Sequence, residues 1–173
     1  MIISVEQAKE LVDLKDWPDI RIKMKLDSLE GIIRQYTNNT FQHRAVRAEC
    51  SVLATKLYGS VPGLKTGDTI QITESCFADG IYTVEAIEEK LITVNKQLFD
   101  ESHALVTKVE YPADVVNCAI ELLQWAVNNS DKVGIKSETL SRHSVTYEDS
   151  TALFMGYPVG ILNGLKLYRK ARF

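Results

Sequence analysis

Between Pro112 and Asn129 the polar side chains are Asp114, Asn117, Glu121, Gln124 and Asn128, at spacings of three, four, three and four. Such spacing draws one line along a 3.6-residue helix. All the other positions there are apolar or small: Ala113, Val115, Val116, Cys118, Ala119, Ile120, Leu122, Leu123, Trp125, Ala126 and Val127. A surface helix ordinarily shows the reverse balance, a limited apolar stripe against a broad polar face. This helix is therefore expected to be covered on most sides, with the rest of the chain as one layer and a second copy of the chain as another.

With 173 residues, 45% of them hydrophobic, the chain is long enough for one domain, or for a domain carrying an insert. Its formal net charge of -3 gives no global attraction to nucleic acid or to an anionic membrane. Cys50, Cys76 and Cys118 are odd in number and far apart, with no CxxC. They predict neither a disulfide framework nor a zinc site, and read as small buried residues. Glu6, Lys9 and Glu10 interrupt any secretory leader, so none is expected. The run from Val115 to Val127 is too short and too often interrupted to span a bilayer, so no membrane partner is expected.

Ser4 and Gln7 form a capping-box pattern that opens a short helix through about Leu14. Asp16-Trp17-Pro18-Asp19 opens a second, with Pro18 in its first turn. Ile22, Leu26, Leu29, Ile33 and Tyr36 give that helix a single apolar stripe, ending at Asn38-Asn39. From about Arg44 to Glu110 the period shortens to alternation. Strands are predicted at Ala45–Leu53, Thr69–Thr73, Ile81–Ile87, Leu91–Val94 and Ala104–Val109, separated by a loop holding Gly59, Pro62, Gly63 and Gly67 and by a turn at Asp79-Gly80. Five short strands suit a small barrel or rolled sheet. After the long helix comes an extended stretch, Gly134 to Asp149. A last helix follows from Pro158, with Leu162, Leu165 and Tyr168 inward and Lys166, Arg169, Lys170 and Arg172 as a positive end.

No catalytic set is complete. Lys65-Thr66-Gly67 matches one element of the serine β-lactamase motifs, but no serine has a lysine three residues on, so the triplet reads as a turn. His143 lies near Ser141, Ser144 and Glu148, yet the Gly-x-Ser-x-Gly elbow of a triad hydrolase is absent. Gly59 to Gly67 fits neither glycine-rich phosphate loop. Asp100-Glu101 and Glu88-Glu89 read as solvated loop acids, and His43 and His103 as isolated histidines. No enzyme, cofactor or metal is expected. Nucleic-acid binding by the β region is the alternative, with Phe77, Tyr82 and Phe99 as stacking platforms. Against it, the acids from Asp68 to Val109 outnumber Lys90, Lys96 and Lys108, whereas phosphate contact needs cations. Positive charge gathers at Arg21 to Arg47 and Lys166 to Arg172, an asymmetry that suits acidic and basic faces meeting between subunits and equally a plain solvated surface.

The ordered set of a Pro-started apolar helix, Lys136, Glu138, Leu140, Val145 and Tyr147, then Leu165, Tyr168 and Arg169, resembles the head-tail connector (head completion or adaptor) proteins of tailed bacteriophages. The likeness is close over 111–173 and loose over 1–40. It implies a mainly helical connector core at 1–43 and 111–173; with the inserted small antiparallel barrel-like β module that the alternation gives at 44–110, the expected fold is α+β. It further implies a virion protein at the capsid-tail junction, made in the host bacterial cytoplasm. Its partners would be other copies of itself in a ring, typically of twelve subunits, the portal protein, a tail-side completion or stopper protein, and DNA passing through without sequence-specific contact. Lys136, Glu138, Leu140, Arg142, His143, Val145, Tyr147, Tyr168 and Arg169 would be the partner-binding residues. The β module departs from compact members of that family.

Overall fold

The computed structural model describes residues 2–129, 137–140, 143–146 and 153–171, with the backbone alone for 137–140 and 143–146. The chain forms two compact units, one of Met1–Asn39 with Pro112–Phe173 and one of Thr40–Tyr111.

In the first unit, α1 (Val5–Leu11) is opened by a full capping box: Gln7 N donates to Ser4 Oγ at 3.2 Å and Ser4 N to Gln7 Oε1 at 2.9 Å. It stops at Leu11, short of Leu14. Lys15 and Asp16, both at positive φ, follow before the next helix. That helix, α2 (Asp19–Thr37), starts one residue later than expected, so Pro18 is its N-cap rather than part of its first turn, and no side chain caps it. Ile22, Leu26, Leu29 and Ile33 are buried along the predicted stripe. Asn38 ends the helix in the left-handed region, which asparagine tolerates better than most residues.

The long helix, α3 (Ala113–Asn128), exposes its whole polar line and buries Val115, Cys118, Ala119, Leu122, Leu123, Ala126 and Val127. It packs against α2 and against the C-terminal elements of the same chain. These are a hairpin of β9 (Leu153–Phe154) and β10 (Tyr157–Pro158), α4 (Val159–Leu162) and a 3-10 helix (Asn163–Tyr168). These elements join α2 on the side expected to pack on Ile22–Tyr36 and the last helix, while Val116, Ile120 and Trp125 are half-buried. Trp125 and Tyr157 meet there with ring centroids 5.3 Å apart, and Leu162 and Leu165 are fully buried. The predicted last helix is thus a single α turn followed by the 3-10 helix. A further hairpin pairs β7 (Ser137–Leu140) with β8 (His143–Thr146).

The second unit is a closed antiparallel barrel of six strands: β1 (Gln42–Leu53), β2 (Lys56–Tyr58), β3 (Thr69–Thr73), β4 (Gly80–Glu88), β5 (Leu91–Val94) and β6 (Glu101–Val109), in the order β1-β2-β5-β4-β3-β6. Closure between β1 and β6 leaves no free sheet edge. The long first strand carries two register shifts, between Gln42 and Arg47 and between Cys50 and Val52, and such bulges bend a strand so that it can serve two neighbours. Inward positions make a core of their own, including Val52, Leu57, Ile70, Ile72, Val84, Ile92 and Val106.

The expected fold class is therefore corrected. The protein is not a mainly helical connector, because among the described residues a closed six-stranded antiparallel barrel accounts for a share of the chain close to that of the four α-helices. Five strands were expected and β2 was not, since three residues inside a loop-like stretch are too few for alternation to register.

Candidate functional site

The closing motif holds the C-terminal segment of the helical unit in place. Tyr168 Oη donates to Asp114 Oδ2 at 2.9 Å, in the first turn of α3. That hydrogen bond, then partial desolvation, raises the Tyr168 pKa above the ordinary phenol value. The Arg169 guanidinium lies 5.4 Å from the centre of the Tyr36 ring, which in turn meets Phe154 edge-on at 5.3 Å. Asn38 Nδ2 donates to Ala171 O at 2.9 Å, Asn39 Nδ2 to Tyr168 O at 3.1 Å, and Lys170 N to Thr37 O at 2.8 Å. The left-handed stop of α2 thus supplies donors for carbonyls that the short 3-10 helix leaves unpaired.

Four of the other predicted partner-binding residues fall into direct register in the second hairpin, Glu138 opposite Val145 and Leu140 opposite His143. Lys136, Arg142 and Tyr147 lie outside the described residues, as does Arg172. No described contact joins this hairpin to Tyr168 or Arg169.

The barrel offers a second candidate surface, which the sequence indicated only through isolated aromatics. The registers Val52 with Glu101 and Thr73 with Leu105 bring the β1–β2 turn, the 74–79 loop and the 95–100 loop to one end of the barrel. Two adjacent carboxylates tie these loops together. Glu101 accepts from Cys76 N at 2.6 Å and Phe77 N at 3.1 Å, while Asp100 accepts from Thr55 N at 3.4 Å. Asp79 accepts from the amide and hydroxyl of Ser75, which holds its carboxyl below the usual range. These acids are loop staples rather than merely solvated groups. Phe77, Phe99 and Leu53 project into solvent from this rim. Tyr82, expected as a third platform, is instead buried, with its hydroxyl donating to Ala78 O at 2.9 Å. Burial raises its pKa first, with Asp79 and Glu101 adding to the effect.

The remaining candidates are local structure. Lys65-Thr66-Gly67 forms a turn in which Lys65 N donates to Asp68 Oδ2 at 2.8 Å and Gly67, at φ +89, donates to Val84 O. His43 is not isolated: its Nδ1 lies 2.6 Å from Glu110 Oε2. His103 Nε2 is 3.9 Å from Glu74. Among the described residues no three His, Cys, Asp or Glu gather as a metal site, and no helix is long and apolar enough to cross a membrane. No protein-family model matches the chain, and no curated protein matches its sequence.

Proposed function

We propose that the chain is a structural subunit of a bacteriophage head-tail connector, without enzymatic activity, that assembles as a ring under the portal, extends the DNA channel and receives the tail. The reading rests on the ordered motifs of residues 111–173. The observation that carries it is the use of their closing pair: Tyr168 and Arg169 are spent inside the helical unit, on Asp114 and Tyr36, and so hold the neighbouring Lys166, Leu167 and Lys170 outward as a basic, apolar surface. That is the kind of surface an assembly protein presents to neighbours. The buried circumference of α3 no longer argues for self-association, because its own chain covers it.

The test is to mix the purified chain with portal rings of the same phage and image the product by electron microscopy. A second ring stacked on the portal, with the channel continued through it, is the expected outcome; portals that remain bare overturn the proposal. A second reading, single-strand nucleic-acid binding by the barrel, has the exposed Phe77 and Phe99 in its favour and the surrounding carboxylates against it. Salt-sensitive binding of an oligothymidylate, lost in Phe77→Ala, would establish that reading.

A further inference from the structure

Two exposed surfaces of this chain complement one another. The barrel rim carries Leu53, Phe77 and Phe99, which are 62%, 73% and 67% exposed. Around them stand Glu74, Asp79, Asp100 and Glu101 against two cations, Lys56 and Lys96, so the rim is apolar and net acidic. None of the four acids has a lysine or arginine partner among the described residues; they face backbone amides, a hydroxyl and His103. At the end of the helical unit Leu167 is 92% exposed, the most of any large hydrophobic side chain described. Lys166 and Lys170 flank it in sequence, Arg169 being over Tyr36; no acid occurs between Pro158 and Ala171, and Asp114, bonded to Tyr168, is the acid that reaches the segment. Lys166 and Lys170 make no ion pair among the described residues.

Leu167 does not follow from the folding of its own unit. The 3-10 helix is anchored by Leu165, Tyr168 and the asparagine donors of α2, whereas Leu167 points away from all of them. A protruding leucine among cations fits an apolar patch ringed by carboxylates, because each surface supplies the charge the other lacks. We propose that the Lys166–Lys170 segment of one copy docks on the Leu53–Phe77–Phe99 rim of a second copy. The two patches differ, so the contact is head-to-tail: each pair keeps one free rim, on one copy, and one free segment, on the other, the geometry from which rings or filaments grow. This proposal names the subunit contact of the ring proposed above and rests on that reading for its biological setting.

The experiment is sedimentation equilibrium of the full chain over a range of concentration and salt. Wild type is expected to self-associate, and to do so more weakly as salt rises. Leu167→Ser and the double variant Phe77→Ser/Phe99→Ser each should weaken self-association at least about tenfold, equivalent to about 1.4 kcal/mol. Their melting temperatures should match wild type, since the replaced side chains are exposed. Mixing the two variants should restore one contact, an intact rim with an intact segment, and give a 1:1 dimer that does not grow. A monomeric wild type, variants that assemble like wild type, or a mixture that stays monomeric while wild type assembles would each overturn the proposal. Oligothymidylate binding by a monomeric chain, lost in the Phe77→Ser/Phe99→Ser variant, would assign the rim to nucleic acid and overturn it as well. Variants that assemble normally remove this contact and leave the connector reading to the portal experiment, whereas bare portals beside intact self-association remove the connector reading alone.

Discussion

The Tyr168 hydroxyl donates to Asp114 across 54 residues of sequence, fastening the last helical turn of the chain to the first turn of α3. Asp114 is well placed for a second reason, because a carboxylate in the first turn of a helix also meets the positive end of its dipole. Tyr168→Phe removes the bond and keeps the ring. It is expected to lower the melting temperature of the helical unit and to increase amide exchange from Asn163 to Lys170. The sign with pH follows from the raised phenol pKa: the bond's contribution is fully present below the ordinary phenol value near 10.0 and is lost as pH rises through the folded value. Denaturant titrations of wild type and Tyr168→Phe should therefore differ near neutrality and converge at strongly alkaline pH.

Gly59 is held against Cys50. A Cβ at this position would sit 2.6 Å from Cys50 Sγ and 3.2 Å from its backbone, beside the bond from Gly59 N to Lys90 O. Gly59→Ala is expected to destabilise the barrel by about 1–3 kcal/mol, the usual cost of overpacking. Cys50→Ala removes the nearest atom, so the double variant should lose less than the sum of the two single losses. Chemical unfolding of the four proteins measures that coupling.

Met155 and Gly156 turn the β9–β10 hairpin with φ of +50 and +84. Positive φ at both central residues is the requirement of a type I′ turn, which favours Asn-Gly and strains a methionine. Met155→Asn should stabilise the helical unit by about 0.5–1 kcal/mol. Because the Met155 side chain is exposed, no packing is lost, and the gain is read from the denaturation midpoint.

The three thiols separate by burial. Burial pushes Cys50 up to about 11 and Cys118, with Glu121 adding, up to about 12, whereas Cys76 is exposed on the barrel rim. At pH 8 a thiol reagent should label one cysteine rapidly in the native protein and all three after unfolding, with Cys76 identified by mass spectrometry. The unfolded thiols ionise near 9.0, below their folded values. Stability from these groups is thus complete below pH 9 and falls as pH rises from there toward 11–12. Cys118→Ala should flatten that decline for the helical unit.

Much of this architecture can be read locally. The capping box at Ser4 and Gln7, the stripe of α2, the polar line of α3 and the main strands of the barrel all depend on residues a few positions apart, and side-chain period reports such relationships directly. The candidate surfaces were legible only in part. Tyr168 and Arg169 stood out as members of an ordered motif, but not Asp114 and Tyr36 as their partners. Phe77, Tyr82 and Phe99 looked alike as aromatics in a small barrel, although only two of them face solvent. Tyr82 differs in its setting: it lies within the predicted strand Ile81–Ile87, two residues before Val84 on the face that turns inward, whereas Phe77 and Phe99 lie in loops.

The sequence by itself determined that α3 must be covered on most sides away from its polar line, since so many apolar side chains cannot remain in water. Only the tertiary structure decided which parts of the chain cover its buried face: α2, the β9–β10 hairpin, α4 and the 3-10 helix. The hydrophobic effect explains the difference. It specifies how much apolar surface is removed from water and has no direction that would specify against which partner. Direction enters with contacts such as Tyr168 to Asp114 and Asn39 to the Tyr168 carbonyl, whose partners are far apart in the chain and meet only when it folds.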